Sequence, residues 1–144
     1  GYKQCAVSDG CLHPKTILDA KFSTPYSVSA AFLYGTVGME QFESEVVFDP
    51  AVQNLLEKVT VHPADRFTEQ YPKHWGCHVK VTMQDGTVYE VEVKDPSGSV
   101  ARPLSREQAM KKAEEFLSVV CPGRETETIE ELLNLESRNM LPSI

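Results

Sequence analysis

The stretch Ala20-Lys21-Phe22-Ser23-Thr24-Pro25-Tyr26, running into Ser27-Val28-Ser29-Ala30-Ala31-Phe32-Leu33-Tyr34-Gly35, decides the reading of this chain. It is a helix entry. Ser23 or Thr24 caps the free N–H groups of a first turn, and Pro25 suits the first helical position, where no donor is needed. Gly35 stops the helix. The result is a short helix over 24–34, rich in small residues.

Working outward, residues 1–19 read as an extended lead-in, because glycines, Pro14 and scattered polar residues disfavour a helix there. A short helical turn is expected around 39–42. Asp49 then caps and Pro50 takes the first helical position. Val52, Leu55, Leu56 and Val59 recur at three- and four-residue steps, so a helix with one buried stripe runs to near Lys58. Val59-Thr60-Val61 reads as a short strand and 62–76 as loop. Val79, Val81 and Met83 alternate with polar residues, as do Tyr89, Val91 and Val93. Asp85-Gly86 between them is a tight-turn pair. An antiparallel hairpin over 77–94 follows, with Val79, Val81, Tyr89, Val91 and Val93 as its buried face. Ser105-x-x-Gln108 is a capping box. It opens a helix with Ala109, Ala113, Phe116, Leu117 and Val120 on one face, ended by Cys121-Pro122-Gly123. Thr128-x-x-Glu131 reads as a second capping box, and 137–144 as an irregular tail. The fold class is therefore α+β, a two-layer α/β sandwich with helices on one face of a mostly antiparallel sheet.

These 144 residues fit a single domain, and their makeup is ordinary, 41% hydrophobic and 24% charged. A net charge of −7 argues against nucleic acid and against an anionic membrane surface as partners. No apolar run approaches a membrane span, and no basic n-region with an apolar core opens the chain. Cytoplasmic placement is the default expectation. The four cysteines, Cys5, Cys11, Cys77 and Cys121, are too sparse for a disulfide framework and are expected as reduced thiols. Cys5, Cys11 and His13 lack zinc-knuckle spacing. Cys77 and His78 point to opposite faces of a strand. No metal is expected.

Nothing local spells a catalytic machine: there is no G-x-S-x-G, P-loop or H-E-x-x-H. His13, His62, His74 and His78 fall on different expected elements and read as structural or solvated. The better cluster is at the first helix. Lys15, Thr16, Lys21, Ser23 and Tyr26 combine lysines, hydroxyls and a helix N-terminus, which together suit a carboxylate. The plainer alternative is a capped helix with two exposed lysines.

The residues also resemble a known family. A-x-F-S-x-P-Y at 20–26, followed by an alanine-rich helix and a glycine, resembles the small domain of the MmgE/PrpD family. That family includes 2-methylcitrate dehydratase, cis-aconitate decarboxylase and iminodisuccinate epimerase. The likeness continues in order through Phe42 and Asp49-Pro50-Ala51-Val52 to Val59, the hairpin around Asp85-Gly86, and Pro103-Leu104-Ser105 to Phe116. Tyr2-Lys3-Gln4 and His13-Pro14-Lys15-Thr16 are most similar to the epimerase-like branch. Roughly residues 1–136 are covered.

The resemblance implies a two-layer α/β sandwich and a cofactor-free lyase or isomerase. Such an enzyme removes a proton next to a carboxylate on small di- or tricarboxylates. Dehydration, decarboxylation or epimerisation follows. It implies a catalytic role for Tyr26 at the domain junction. It implies substrate-carboxylate binding by Lys15 and Thr16, with Lys21, Ser23 and Arg102 around the cleft. In family members a large helical domain precedes the small one and holds most acid–base histidines. No segment here corresponds to it, so the chain alone is expected to be inactive and to need that domain in trans. Homo-oligomerisation as a dimer is also expected. A stand-alone, non-catalytic dimerisation or binding module of the same fold is the other reading.

Overall fold

The computed structural model describes residues 9–135. Cys5, the start of the lead-in and the 137–144 tail lie outside the described residues. The chain divides into two compact units at Asp65–Arg66.

The first unit is helical. In order it holds α1 (Asp9–Leu12), α2 (Ile17–Lys21), α3 (Thr24–Tyr34), a 3-10 turn (Glu40–Phe42), α4 (Ser44–Val47) and α5 (Pro50–Leu56). α3 forms as its sequence dictates. Ser23 Oγ accepts from Tyr26 N at 3.1 Å, Pro25 sits in the first turn, and Gly35 closes the helix at φ 73°. At α5, Asp49 Oδ1 accepts from Ala51 N at 2.6 Å. Tyr26 and Ala30 lie four apart on α3, as do Val52 and Leu56 on α5, so each pair shares a helix face. These four join Ala20 and Val47 as the buried core, with Phe42 packed against it.

Two expectations for this unit are corrected. The extended lead-in is partly helical, in α1 and α2. Thr16 Oγ1 accepts from Asp19 N at 3.1 Å, and Asp19 Oδ2 accepts from Thr16 N at 3.0 Å and Lys15 N at 3.1 Å. That reciprocal cap starts α2 immediately after Pro14, which lies outside the helix and cannot break it. Residues 59–61 are coil rather than a strand.

The second unit carries the sheet. After the helical turn α6 (Asp65–Thr68), which spans the division, come β1 (Cys77–Thr82), β2 (Val88–Val93), α7 (Arg106–Val120) and α8 (Glu125–Leu133). Helices with an antiparallel sheet make the α+β class expected. The strands pair Val79 with Val91 and Val81 with Tyr89. Their connection is Gln84-Asp85-Gly86, with Met83 N donating to Thr87 O at 2.8 Å. Gly86 adopts φ 85°, a conformation that costs glycine little. Thr87 N donates to Asp85 Oδ1 at 2.9 Å, and this holds the Asp85 carboxyl below its ordinary value.

The hairpin's apolar face is not the buried set its alternation implies. Tyr89 is 61% and Val91 55% exposed, while Val79, Val81 and Val93 are half-buried. Alternation marks which residues share a face; burial needs a second layer on it. The opposite face is charged, with Lys80 and His78 on Glu90 at 3.2 and 3.5 Å, and Arg66 on Glu92 at 2.9 Å.

α7 opens on the expected capping box. Gln108 N donates to Ser105 Oγ at 3.2 Å and Ser105 N to Gln108 Oε1 at 2.9 Å. It packs against α8, yet none of its residues is fully buried: Phe116 and Val120 are exposed, and Ala113 and Leu117 half-buried. α8 starts before the expected cap at Thr128. Gly123, at φ 84°, reverses the chain after Pro122, and Glu125 Oε1 accepts from Gly123 N at 2.9 Å. Thr128 is therefore interior to the helix and buried, with Oγ1 3.7 Å from Cys121 Sγ.

Candidate functional site

The segment from Pro14 to Tyr26 places five of the six candidate residues on α2, α3 and the residues that cap them. Its backbone is fixed by the two N-terminal caps, in which the Thr16 and Ser23 hydroxyl oxygens accept main-chain N–H groups. Thr16 Oγ1 is held by Asp19 N. Ser23 is 1% exposed, and its Oγ is held by Tyr26 N. Hydrogen bonding from the Thr16 hydroxyl, then from Lys15 and Thr16 main-chain N–H groups, holds the Asp19 carboxyl below its ordinary value. An ionised carboxylate therefore sits on this end of α2 between the two lysines in sequence.

Tyr26 departs from expectation. The catalytic role that the resemblance implies needs an accessible hydroxyl or one in a polar pocket. Instead the side chain is fully buried. Its O–H donates to the Gln41 backbone carbonyl, and its ring lies tilted against Phe42 with centroids 5.6 Å apart. Burial pushes the phenol above its ordinary value. The cause is local: with Ser23 as cap, the first-turn residue Tyr26 shares the inward face with Ala30.

Lys15 and Lys21 are exposed. Their ammonium groups are the cationic side chains of the segment. Near them, His13 Nδ1 lies 3.1 Å from Glu57 Oε1, with both side chains half or more exposed. Such a pair contributes little to stability.

Arg102 belongs to the second unit. Its main chain closes the 95–102 loop: Arg102 N donates to Ser99 O at 3.1 Å, and Gly98 N donates to Arg102 O at 2.8 Å. The side chain lines a shallow depression with Lys94 and Asp95.

Sequence reasoning missed one arrangement. His74 Nδ1 lies 3.0 Å from both carboxylate oxygens of Asp95, and the two side chains are only 18% and 13% exposed. The residues are 21 positions apart. Continuing the hairpin ladder outward from Cys77 opposite Val93 would set Trp75, not His74, opposite Asp95, so the pair forms outside the ladder's register and the sequence carried no signal for it.

Among the described residues, no group of three or more His, Cys, Asp or Glu side chains is placed to hold a metal ion. Cys77 and Cys121 carry free thiols. No helix of the described residues is long and apolar enough to cross a membrane.

Residues 3–136 match the family model of the MmgE/PrpD C-terminal domain. Cis-aconitate decarboxylase of Mus musculus is 31% identical over 103 residues, 69% of this chain and 20% of that protein. Mitochondrial 2-methylcitrate dehydratase of Yarrowia lipolytica is 31% identical over 78 residues, 51% of this chain and 15% of that protein. The cis-aconitate decarboxylase-like protein oryM of Aspergillus oryzae is 28% identical over 126 residues, 86% of this chain and 26% of that protein. The matched region thus spans about a quarter or less of each relative.

Proposed function

The chain belongs to the MmgE/PrpD family, and from that premise we propose that it is the small domain of a cofactor-free lyase or isomerase. The substrate is a small di- or tricarboxylate. The reaction begins with proton removal from the carbon next to a carboxylate and proceeds by dehydration, decarboxylation or epimerisation. The observation that carries this reading is the match to the family's C-terminal domain over residues 3–136. The names of the relatives, cis-aconitate decarboxylase and 2-methylcitrate dehydratase, support the substrate class.

In this reading the chain works in the cytoplasm with a helical MmgE/PrpD domain, and the isolated 144 residues do not turn over. A base must reach the substrate carbon within hydrogen-bond distance. The segment around α2 and α3 supplies binding charge rather than that base. Lys15 and Lys21 hold substrate carboxylates, in the ground state and the transition state alike. Thr16 and Ser23 act by capping the helices that carry them. Arg102 contributes a further cation from the 95–102 loop.

The test is reconstitution. The chain is mixed with a helical MmgE/PrpD domain and assayed with 2-methylcitrate, cis-aconitate and iminodisuccinate. Turnover of one of them with both parts present, and none with either alone, is the expected result. No turnover in any combination would favour the second reading, a non-catalytic dimerisation or binding module. The capped hydroxyls of Thr16 and Ser23, the sealed Tyr26 and the exposed apolar hairpin face favour that alternative.

A further inference from the structure

The second unit holds a cleft that the proposed function does not use. Tyr71, Lys73, His74 and Lys94 line it, together with Glu69 and Glu92. The segment beneath is well tied: His74 N donates to Gln70 O at 2.9 Å, Trp75 Nε1 donates to Pro72 O at 3.1 Å, and the Tyr71 and Trp75 rings lie 5.3 Å apart.

His74 gives the cleft its chemistry. Both Asp95 oxygens lie 3.0 Å from Nδ1, so the neutral ring keeps its proton on that nitrogen and the orientation of the imidazole is set. Nε2 is then the working nitrogen. No described group bonds it, and His74 lines the cleft whereas Asp95 does not. In the neutral ring Nε2 has no proton to give; it donates only in the imidazolium, so an oxyanion bound there holds His74 in that form and takes up one proton with it. Lys73 and Lys94 line the same cleft. Glu92 is engaged by Arg66 at 2.9 Å. Glu69 is the remaining carboxylate. Two ammonium groups and an oriented imidazole thus face one carboxylate that lacks a described cationic partner.

We propose that this cleft binds a small oxyanion, a carboxylate or a phosphate, through His74 Nε2–H with Lys73 and Lys94 as flanking charges. The site lies wholly within the second unit and is independent of the α2–α3 segment and of the family activity.

The experiment uses the full 144-residue chain. Long-range 1H–15N spectra follow the His74 imidazole while citrate and, separately, inorganic phosphate are added. A saturable shift of the Nε2 signal is expected. Response to citrate alone assigns carboxylates, and response to phosphate alone assigns phosphates. His74→Gln should abolish binding measured by calorimetry. Because that change also cuts the Asp95 contact, Lys94→Gln provides a second arm. It alters an exposed side chain, leaves the His74–Asp95 pair intact, and should weaken binding about tenfold, one charge-assisted contact. No saturable shift at millimolar anion, or binding undiminished in both variants, overturns the proposal.

Discussion

The Tyr26 hydroxyl donates its hydrogen bond to the backbone carbonyl of Gln41, 15 residues along the chain, and both residues are buried. Gln41 is committed twice, since its Oε1 also accepts from Gly38 N at 2.8 Å. One tyrosine therefore ties α3 to the 3-10 turn and closes one end of the first unit's core. Tyr26→Phe removes the donor and leaves a buried carbonyl unpaired, at a cost of about 1–2 kcal/mol. Thermal unfolding should show a Tm several degrees lower, while turnover of the reconstituted enzyme changes less than about twofold, since no transition-state contact is lost. A tenfold loss of turnover at unchanged Tm would return the hydroxyl to the chemistry.

Ser29 lies one turn further along α3, fully buried, with its Oγ bonded to no described group. A buried hydroxyl without a partner pays its desolvation and recovers nothing. Ser29→Ala also improves helix propensity. The variant should be more stable by about 1 kcal/mol, read as a raised denaturant midpoint at unchanged m-value. A destabilised variant would mean that the hydroxyl is bonded in solution.

Val91 separates what alternation reveals from what it does not. Treated as a buried strand residue, Val91→Asp would cost several kcal/mol. At 55% exposure the charge stays hydrated, and the expected cost is about 1 kcal/mol or less, mostly lost strand preference. Equilibrium unfolding of the variant decides between the two. A loss of several kcal/mol would show that the hairpin face is covered in solution.

Which features were legible follows from how far apart their determinants lie. α3 and α7 could be read because cap, first-turn residue and stop lie within each helix or beside it, as Ser23, Pro25 and Gly35 do for α3. The strand pairing could be read because Asp85-Gly86 sets the register. α2 carried the same kind of signal, Thr16 with Asp19, hidden by reading Pro14 as a breaker when it precedes the cap. Burial of the hairpin face could not be read, since it depends on a second layer and not on the strand. The His74–Asp95 pair could not be read, since the hairpin register extended outward sets Trp75 opposite Asp95. The lysines of the candidate site were legible as charges; that the neighbouring hydroxyl oxygens accept main-chain N–H groups emerges only from the hydrogen bonds.

Asp19 gives the first unit an acid-sensitive cap. The Thr16 hydroxyl, followed by the Lys15 and Thr16 N–H groups, lowers its folded-state value. A carboxyl depressed on folding stabilises the folded state above its unfolded value, and that contribution is lost as pH falls through the folded value. Comparing wild type with Asp19→Ala, the stability gap should be complete near neutrality and close below about pH 4. A gap independent of pH would mean that the cap, not the charge, carries the effect.

Lys21 offers the sharpest test of the proposed function. It closes α2 one residue before Phe22 and two before the α3 cap, and it is exposed. The Ser23 hydroxyl is buried under its cap, so a substrate carboxylate arriving here meets the exposed Lys21 ammonium. A charge-assisted contact of this kind contributes about 1.5–3 kcal/mol, roughly ten- to a hundredfold in affinity. It grips the carboxylate equally in the ground and transition states. Lys21→Gln in the reconstituted enzyme should therefore raise KM about tenfold or more and leave kcat nearly unchanged. Wild-type KM should rise with added salt, and the variant's should rise less. Unchanged kcat/KM in both Lys21→Gln and Lys15→Gln would remove this segment from the substrate site and leave α2 and α3 as scaffold alone.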